Sequence, residues 1–233
     1  MTMKTFEPGV YAAAANALIA SITPVLRSMS FPAGGRVHLS LNLVKSSIDL
    51  GHATTALIAT DNSYNGLAAL VLVRPQLEHL FRGIYIGTHP DVSDDFIAKF
   101  MMGKSWAGPN FQALSQHAAE VLSKAPMGES ILAWKKLPDM VNFAKNSLHE
   151  FVHGGKSVLD AYDHETGIAF SPEHFDNGLV VTNVAATATF GFSFAQSIST
   201  GMDEKKDAVL SEFFSRYHKW TSMADALGIG SGE

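Results

Sequence analysis

Apolar residues recur at intervals of three and four through most long segments of the chain, whereas alternating apolar and polar runs bounded by Asn-Gly turns are almost absent. The first pattern is typical of helices that bury one face, and the second is typical of half-buried strands. The chain is therefore expected to be all-α. Gly, Pro and capping residues divide it into segments that predict helices over about 7–29, 36–60, 65–87, 91–103, 111–125, 139–153, 171–200 and 203–227.

The breaks between these segments do not divide the chain into domains. Pro24 and Pro75 fall inside predicted helices, where a proline bends the helix. No segment repeats at a fixed period, and no Pro- or Ser-rich linker separates regions of different composition. We therefore predict a single antiparallel bundle of about seven or eight helices over residues 1–227, followed by a flexible tail at 228–233.

Composition narrows the chemistry that the chain can carry. Charged residues make up 17% of the 233 residues, against 46% hydrophobic residues, and the formal net charge is −5. A mildly acidic chain does not attract nucleic acid over its whole surface, so any contact with RNA or DNA has to be local. The chain has no cysteine, which excludes disulfides, zinc–thiolate sites and thiol nucleophiles. His, Arg, carboxylates and hydroxyls remain as candidate catalysts and ligands.

Two long uncharged stretches, 8–26 and 177–202, raise the question of a membrane span. The first contains Asn16 and Pro24, and the second is diluted by many Ser and Thr residues, so both fit buried helices packed through small residues better than spanning helices. The N-terminal residues lack the basic and Leu-rich segments of a secretory signal. We expect a cytoplasmic protein without a membrane partner.

The first candidate constellation is Arg74, Glu78 and Arg82, which share one face of the third predicted helix because they are four residues apart. This helix is apolar nearly all round, which predicts that it lies inside the bundle and that its charges are paired. Three ionised side chains leave one positive charge in excess. Two interpretations stay open, a polar ladder that fixes helix register and a pocket for an anionic substrate.

The second constellation lies in the segment NSLHEFVHGG, where Asn146, His149 and His153 share one helix face. The string HEFVH, which includes Glu150, also matches the HExxH pattern in which two His bind zinc and the Glu activates water. Here Gly154 and the glycine after it end the helix at once, and no spacing singles out a third ligand. Without a metal, the His pair caps the C-terminus of its helix. We therefore predict no metal and no cofactor, with a zinc hydrolase as an alternative.

The remaining histidines and the tryptophans give weaker signals. His52 is a lone polar residue in a weakly polar helix, and we interpret it as a core histidine that is a candidate for binding. The spacing of the three tryptophans does not predict a stacking platform. Four further histidines have charged or polar neighbours and are expected at the surface: His79, His117, His164 and His218.

The pairing of RPQLEHLFRGIYI on one helix with LHEFVHGG on a later one resembles an uncharacterised bacterial family of helical proteins with an RPxxE…R helix and a helix ending in HGG. That family is similar to the HEPN group (higher eukaryotes and prokaryotes nucleotide-binding), many of whose members are toxins or defence proteins that cut RNA. The resemblance covers roughly 65–155. It implies a HEPN-like helical bundle, often dimeric, with a polar site between helices.

Carried over by residue, the resemblance matches Arg74, Glu78 and Arg82 to the first motif and the three residues beginning at His153 to the second. HEPN ribonucleases usually have an Arg and a polar residue shortly before the His, and Lys145 and Asn146 stand there in this chain. A lysine cannot grip a phosphate bidentately, so Arg74 or Arg82 would have to supply the guanidinium.

On this interpretation His153 is the general acid/base of a metal-independent endoribonuclease, and Arg82 or Arg74 stabilises the charge on the phosphorane. Asn146 and His149 would orient the phosphate. The implied partners are RNA, a second copy of the chain and an antitoxin or other protein. A non-catalytic binding or scaffold protein with a buried Arg-Glu-Arg/His network is the alternative from a different functional class.

Overall fold

The structure is a computed structural model that describes residues 8–60, 66–125, 163–164, 167–168, 177–203 and 206–226. Within these ranges it contains seven helices and four strands of two residues each, so the prediction of an all-α bundle is confirmed. The helices are α1 (Pro8–Arg27), α2 (Gly35–Ala59), α3 (Gly66–Thr88), α4 (Asp94–Met101), α5 (Phe111–Ser123), α6 (Asn177–Ile198) and α7 (Lys206–Ala226). The strands are β1 (Met29–Ser30), β2 (Asp163–His164), β3 (Gly167–Ile168) and β4 (Gly201–Met202).

The helix ends follow the local signals in the sequence. Helices α1, α2 and α5 begin and end within two residues of their predicted limits. Helix α4 begins after Ser93, whose side chain accepts a hydrogen bond from the backbone N–H of Phe96, and α5 begins after Asn110, which caps Ala113 in the same way. The predicted helix over 139–153 lies outside the described residues.

Helix α6 forms the centre of the core and packs against α1, α2, α3 and α5. Its side chains are buried on every face, including Phe190, Phe192 and Phe194. Small residues fill the remaining positions and let the neighbouring helices approach closely; Ala185, Ala188 and Gly191 are among them. The small-residue helix predicted from the sequence is therefore a core helix.

Two helices are long and apolar enough to cross a membrane by length and composition, at Gly9–Arg27 and Gly178–Ile198. Of the second segment, 89% is buried inside the protein, against 44% of the first. Burial of that extent is what the core helix of a globular bundle has. Helix α1 packs its buried face on α2, α6 and α7.

Helices α2 and α3 pack most extensively, and small side chains set their separation. A Cβ atom on Gly83 would lie 2.9 Å from Cγ2 of Val44, so glycine is required for this close approach. The hydroxyl of Ser40 donates to the Gly83 carbonyl at 2.6 Å, and that of Ser47 donates to the Gln76 carbonyl at 2.8 Å. These bonds fix the register of α3, which carries the Arg-Glu-Arg motif.

A short ribbon joins two connections that are far apart in the sequence. Strands β1 and β4 pair antiparallel, with Met29 opposite Met202 and Ser30 opposite Gly201. The ribbon ties the α1–α2 connection to the α6–α7 connection. Strands β2 and β3 also pair antiparallel, with Asp163 opposite Ile168 and His164 opposite Gly167, between the predicted helices 139–153 and 171–200.

Candidate functional site

Arg74, Glu78 and Arg82 form a continuous ion-paired row along α3. Nε of Arg74 lies 3.1 Å from Oε1 of Glu78, and Nη2 of Arg82 lies 3.2 Å from Oε2 of the same carboxylate. The predicted pairing of these charges is therefore confirmed. One carboxylate serves two guanidinium groups, so the row, which we call the α3 ladder, keeps a formal surplus of one positive charge.

The α3 ladder reaches the surface, which differs from the expectation that it lies inside the bundle. The side chains of Arg74, Glu78 and Arg82 are 23%, 26% and 27% exposed. Apolar residues on the other faces of α3 are buried, among them Leu77, Leu80 and Phe81, so the helix is covered on those sides only. An opening on the ladder side is what an anionic ligand needs.

Both guanidinium groups of the ladder lie against aromatic rings. Cζ of Arg82 is 5.1 Å from the centroid of Trp106, and Cζ of Arg74 is 5.8 Å from the centroid of Phe111. Such contacts stabilise a cation by about 0.5–2 kcal/mol, depending on its desolvation. Nε of Arg82 is buried and makes no hydrogen bond within the described residues. Arg82 therefore keeps donor capacity beyond its pairing with Glu78.

Trp106 is fixed in the α4–α5 connection by its own neighbours. Its Nε1–H donates to the carbonyl of Pro109 at 2.9 Å. A Cβ atom on Gly108 would overlap the indole ring, so glycine allows the backbone to fold closely beneath it. The rings of Phe96 and Phe100 meet Trp106 edge-on, at centroid distances of 5.4 Å and 5.7 Å.

A pair of histidines lies at the C-terminal end of α3, next to the ladder. The rings of His89 and His117 are 5.1 Å apart, and each also contacts Tyr85, at 4.5 Å and 5.6 Å. Tyr85 contacts Trp106 at 6.0 Å, which connects the pair to the aromatic surroundings of Arg82. His117, which was expected at the surface, is partly buried and contacts Tyr85 and Thr88 of α3.

Arg36 of α2 holds this end of α3 in place. Its Nε donates to the carbonyl of Ile86 at 2.7 Å, and its Nη2 donates to the carbonyl of His89. Both carbonyls lie at a helix C-terminus, where backbone oxygens lack partners and the helix dipole favours a positive charge. The Arg36 guanidinium of α2 therefore supplies hydrogen-bond donors to the C-terminal end of α3, next to His89.

Hydrogen bonds define the neutral tautomer of His117. The hydroxyl of Thr88 donates its only proton to the carbonyl of Ile84 at 2.7 Å, so at 2.8 Å it accepts from Nε2–H of His117. Nδ1 is then the basic nitrogen. Burial, followed by the nearby His89, lowers the pKa of His117 below its ordinary value. Burial also lowers the pKa of His79, with Arg82 as the second cause.

These two lowered pKa values predict that the protein loses stability in mild acid. The unfolded imidazoles take up protons near their ordinary pKa of about 6.5, whereas the folded ones do so only at lower pH. The free energy of unfolding therefore falls as pH drops through that range. Urea unfolding at pH about 7.5 and about 5.5 measures the loss, and His117→Gln, whose amide can still donate to Thr88, should reduce it.

The matched control is His218→Gln on α7, because that side chain is exposed. It should leave the pH dependence as in the wild type. An equal loss of stability in the wild type and in His117→Gln would contradict the assignment.

The structure describes only part of the predicted site. His153, His149, Asn146 and Lys145 lie outside the described residues. His52 is described, and its interpretation as a core histidine is wrong. Its side chain is exposed, because the neighbouring positions Gly51, Thr54 and Thr55 are the ones that face the adjacent helices. Its backbone carbonyl accepts a hydrogen bond from Nδ2 of Asn16 at 2.8 Å.

The other histidines predicted at the surface differ in their exposure. His218 is exposed, as expected, whereas His79 is partly buried and bonds through Nδ1 to the Ser46 hydroxyl at 2.9 Å. Among the described residues, no group of three or more His, Asp or Glu side chains is placed to hold a metal ion. The HEFVH segment lies outside those residues, so the zinc alternative stays a prediction.

The sequence interpretation missed Tyr85, His89, Trp106 and His117 as a cluster. A signal was present, since seven aromatic or histidine residues fall within 85–117. They lie on three helices and the two connections between them at irregular spacing, which periodicity does not detect.

The chain matches no protein-family model, no curated protein and no solved structure. The resemblance to the HEPN group therefore depends on the two motifs alone, and the chemistry of the site has to be argued from its geometry.

Proposed function

We propose that the chain is a HEPN-like RNA-binding protein of bacterial defence or toxin type that cleaves RNA without a metal. RNA phosphate would bind at the α3 ladder, and His153 would act as general acid/base on the ribose 2′-hydroxyl or the leaving oxygen. The observation that carries the proposal is Arg82, a quarter exposed, with a buried Nε that bonds to none of the described residues and with an aromatic ring beneath it.

The physical support comes from the charge and shape of a guanidinium group. Its planar fork of donors matches phosphate oxygens, and its charge stabilises a phosphorane more strongly in a partly desolvated site than in water. Glu78 accepts from Nη2 of Arg82, and the arginine side chain is 27% exposed, so the guanidinium keeps N–H donors besides the one that pairs with Glu78. Trp106 lies against the guanidinium of Arg82 and helps to hold its position.

Variants of Arg82 test this proposal through RNA affinity. Charge-assisted hydrogen bonds contribute about 1.5–3 kcal/mol, so Arg82→Ala should weaken the binding of single-stranded RNA by roughly 10- to 150-fold. Arg82→Lys should restore only part of the affinity, because a lysine cannot donate bidentately. Fluorescence anisotropy with labelled RNA measures both effects.

Arg216→Ala is the matched control, because Arg216 forms an ion pair of the same spacing with Glu212 on α7, at 2.6 Å. It should bind RNA as the wild type does. If Arg82→Ala and Arg216→Ala weakened RNA binding equally, the loss of affinity would come from the lower net charge of the protein. That result would contradict a site at the α3 ladder.

A scaffold function is the second candidate, and the geometry of Glu78 favours it. This carboxylate bonds both arginines, and the adjacent Gln76 donates to the carbonyl of Val184 at 3.0 Å, so the same part of α3 holds the bundle in register. Glu78→Gln separates the two functions. If the α3 ladder binds RNA, Glu78→Gln strengthens RNA binding because it removes a negative charge. If the protein is a scaffold, the same variant lowers the free energy of unfolding and the protein does not bind RNA.

The resemblance also supports a homodimer with an antitoxin or another protein as a further partner. A dimer of the 25.0 kDa chain would be recognised by its mass in light scattering. A monomer mass at concentrations where RNA is bound would contradict it.

A further inference from the structure

An open cavity of about 300 Å³ lies beside Trp106, on the side of α4. Its lining is mostly apolar and comes from the end of α4 and the loop that follows; the lining residues are Phe96, Lys99, Phe100, Lys104, Ser105 and Ala107. Cavities of this size are at the lower end of the range for small ligands. The cavity is separate from the α3 ladder, and none of the functions assigned above uses it.

The cavity combines aromatic side chains with positive charge. Phe96 and Phe100 line it, and the planes of both rings are nearly perpendicular to that of Trp106. Lys99 and Lys104 lie on the lining beside these rings. Lys99 pairs with Asp95 at 2.6 Å, whereas Lys104 is exposed and has no ion-pair partner among the residues that the structure describes. A planar ligand with a negative charge fits these features.

Trp106 links the cavity to the proposed RNA site. One ring system contacts Arg82 of the ladder and both phenylalanines of the cavity floor. Aromatic side chains therefore connect the cation of the ladder, Arg82, to the lysines that line the cavity. This arrangement is what proteins use to bind single strands, with phosphates on cations and bases on rings.

We propose that this cavity is a nucleotide subsite that takes one unstacked base of a single-stranded RNA bound at the α3 ladder. The base lies on Phe96 and Phe100, and the adjoining phosphate pairs with Lys104. The proposal rests on the proposed function, since the same strand occupies both places. A duplex cannot use the subsite, because its bases stay stacked and paired.

Two variants test the subsite in the full-length protein with short single-stranded RNA as the probe. Phe100→Leu keeps an apolar side chain of similar size but removes the ring, and it should weaken binding about tenfold, as loss of one base–aromatic stack does. Lys104→Gln should lower the slope of log affinity against log salt concentration by about 0.7, the effect of one phosphate contact on a single strand. Affinity for double-stranded RNA should stay unchanged in both variants.

Matched controls come from α7, where Phe214 and Lys219 are exposed and lie outside the cavity. Phe214→Leu and Lys219→Gln should bind as the wild type does. Wild-type affinity and salt slope in both cavity variants, with Arg82→Ala still impaired, would overturn the subsite and leave the proposed function standing. Absence of RNA binding by the wild type would overturn both. A change of mass in light scattering with unchanged RNA affinity would assign the cavity to a contact between copies of the chain, and the subsite would be wrong.

Discussion

Replacing Phe192 with alanine is expected to lower the free energy of unfolding by about 3–5 kcal/mol, the usual effect of emptying a buried phenylalanine site. Phe192 is fully buried on α6, and its ring lies 4.5 Å from that of Phe213 on α7. The loss combines the transfer of the ring to water with the cavity that incomplete relaxation of the surroundings leaves behind. Urea unfolding monitored by circular dichroism measures the loss.

Phe214→Ala is the matched control for this substitution. Phe214 also contacts the ring of Phe213, at 5.3 Å, but its side chain is 37% exposed. Its removal transfers less apolar surface to water and leaves no closed cavity, so the expected loss is about 1 kcal/mol. Similar losses for the two variants would contradict the placement of α6 at the centre of the core.

Replacing His153 with alanine is expected to lower the rate of RNA cleavage about 10²- to 10⁴-fold, which is the usual contribution of a general acid or base. RNA affinity should change little, because phosphate binding is assigned to the α3 ladder. The measurement is single-turnover cleavage of labelled RNA in the presence of EDTA. Cleavage that persists with EDTA would also remove the zinc alternative, as would less than stoichiometric zinc in the purified protein.

His218→Ala is the control for this loss, since His218 is exposed on α7. It should cleave at the wild-type rate. Equal rates for wild type and His153→Ala, or no cleavage by either, would contradict the catalytic assignment. If Arg82→Ala still weakened RNA binding in that case, the protein would be an RNA-binding protein without nuclease activity.

Local signals in the sequence predicted the helices because the physics that sets helix ends is itself local. Ser93 and Asn110 supply side-chain acceptors to the first turns of α4 and α5. The strands β1 and β4 were not predicted, because a pairing of two residues across such a sequence distance leaves no pattern in either segment.

The candidate site was predicted only where its residues share a helix face. The spacing of Arg74, Glu78 and Arg82 predicted that they pair, and they do. Spacing does not indicate how deeply a helix is buried in the bundle. The sequence therefore did not predict that about a quarter of each of these side chains is exposed. The contact between Arg82 and Trp106 joins a helix to a loop, and its geometry depends on the tertiary packing.

The packing of α1 has a consequence for synthesis on the ribosome. Helix α1 buries its apolar face on α6 and α7, and α6 begins only at residue 177. At roughly 5–20 residues per second, about 8–30 s pass between the completion of α1 and the emergence of its later partners. Among the described helices that pack extensively on α1, α2 alone has been made by then, so a chaperone that binds nascent chains would meet a partly uncovered apolar face on α1.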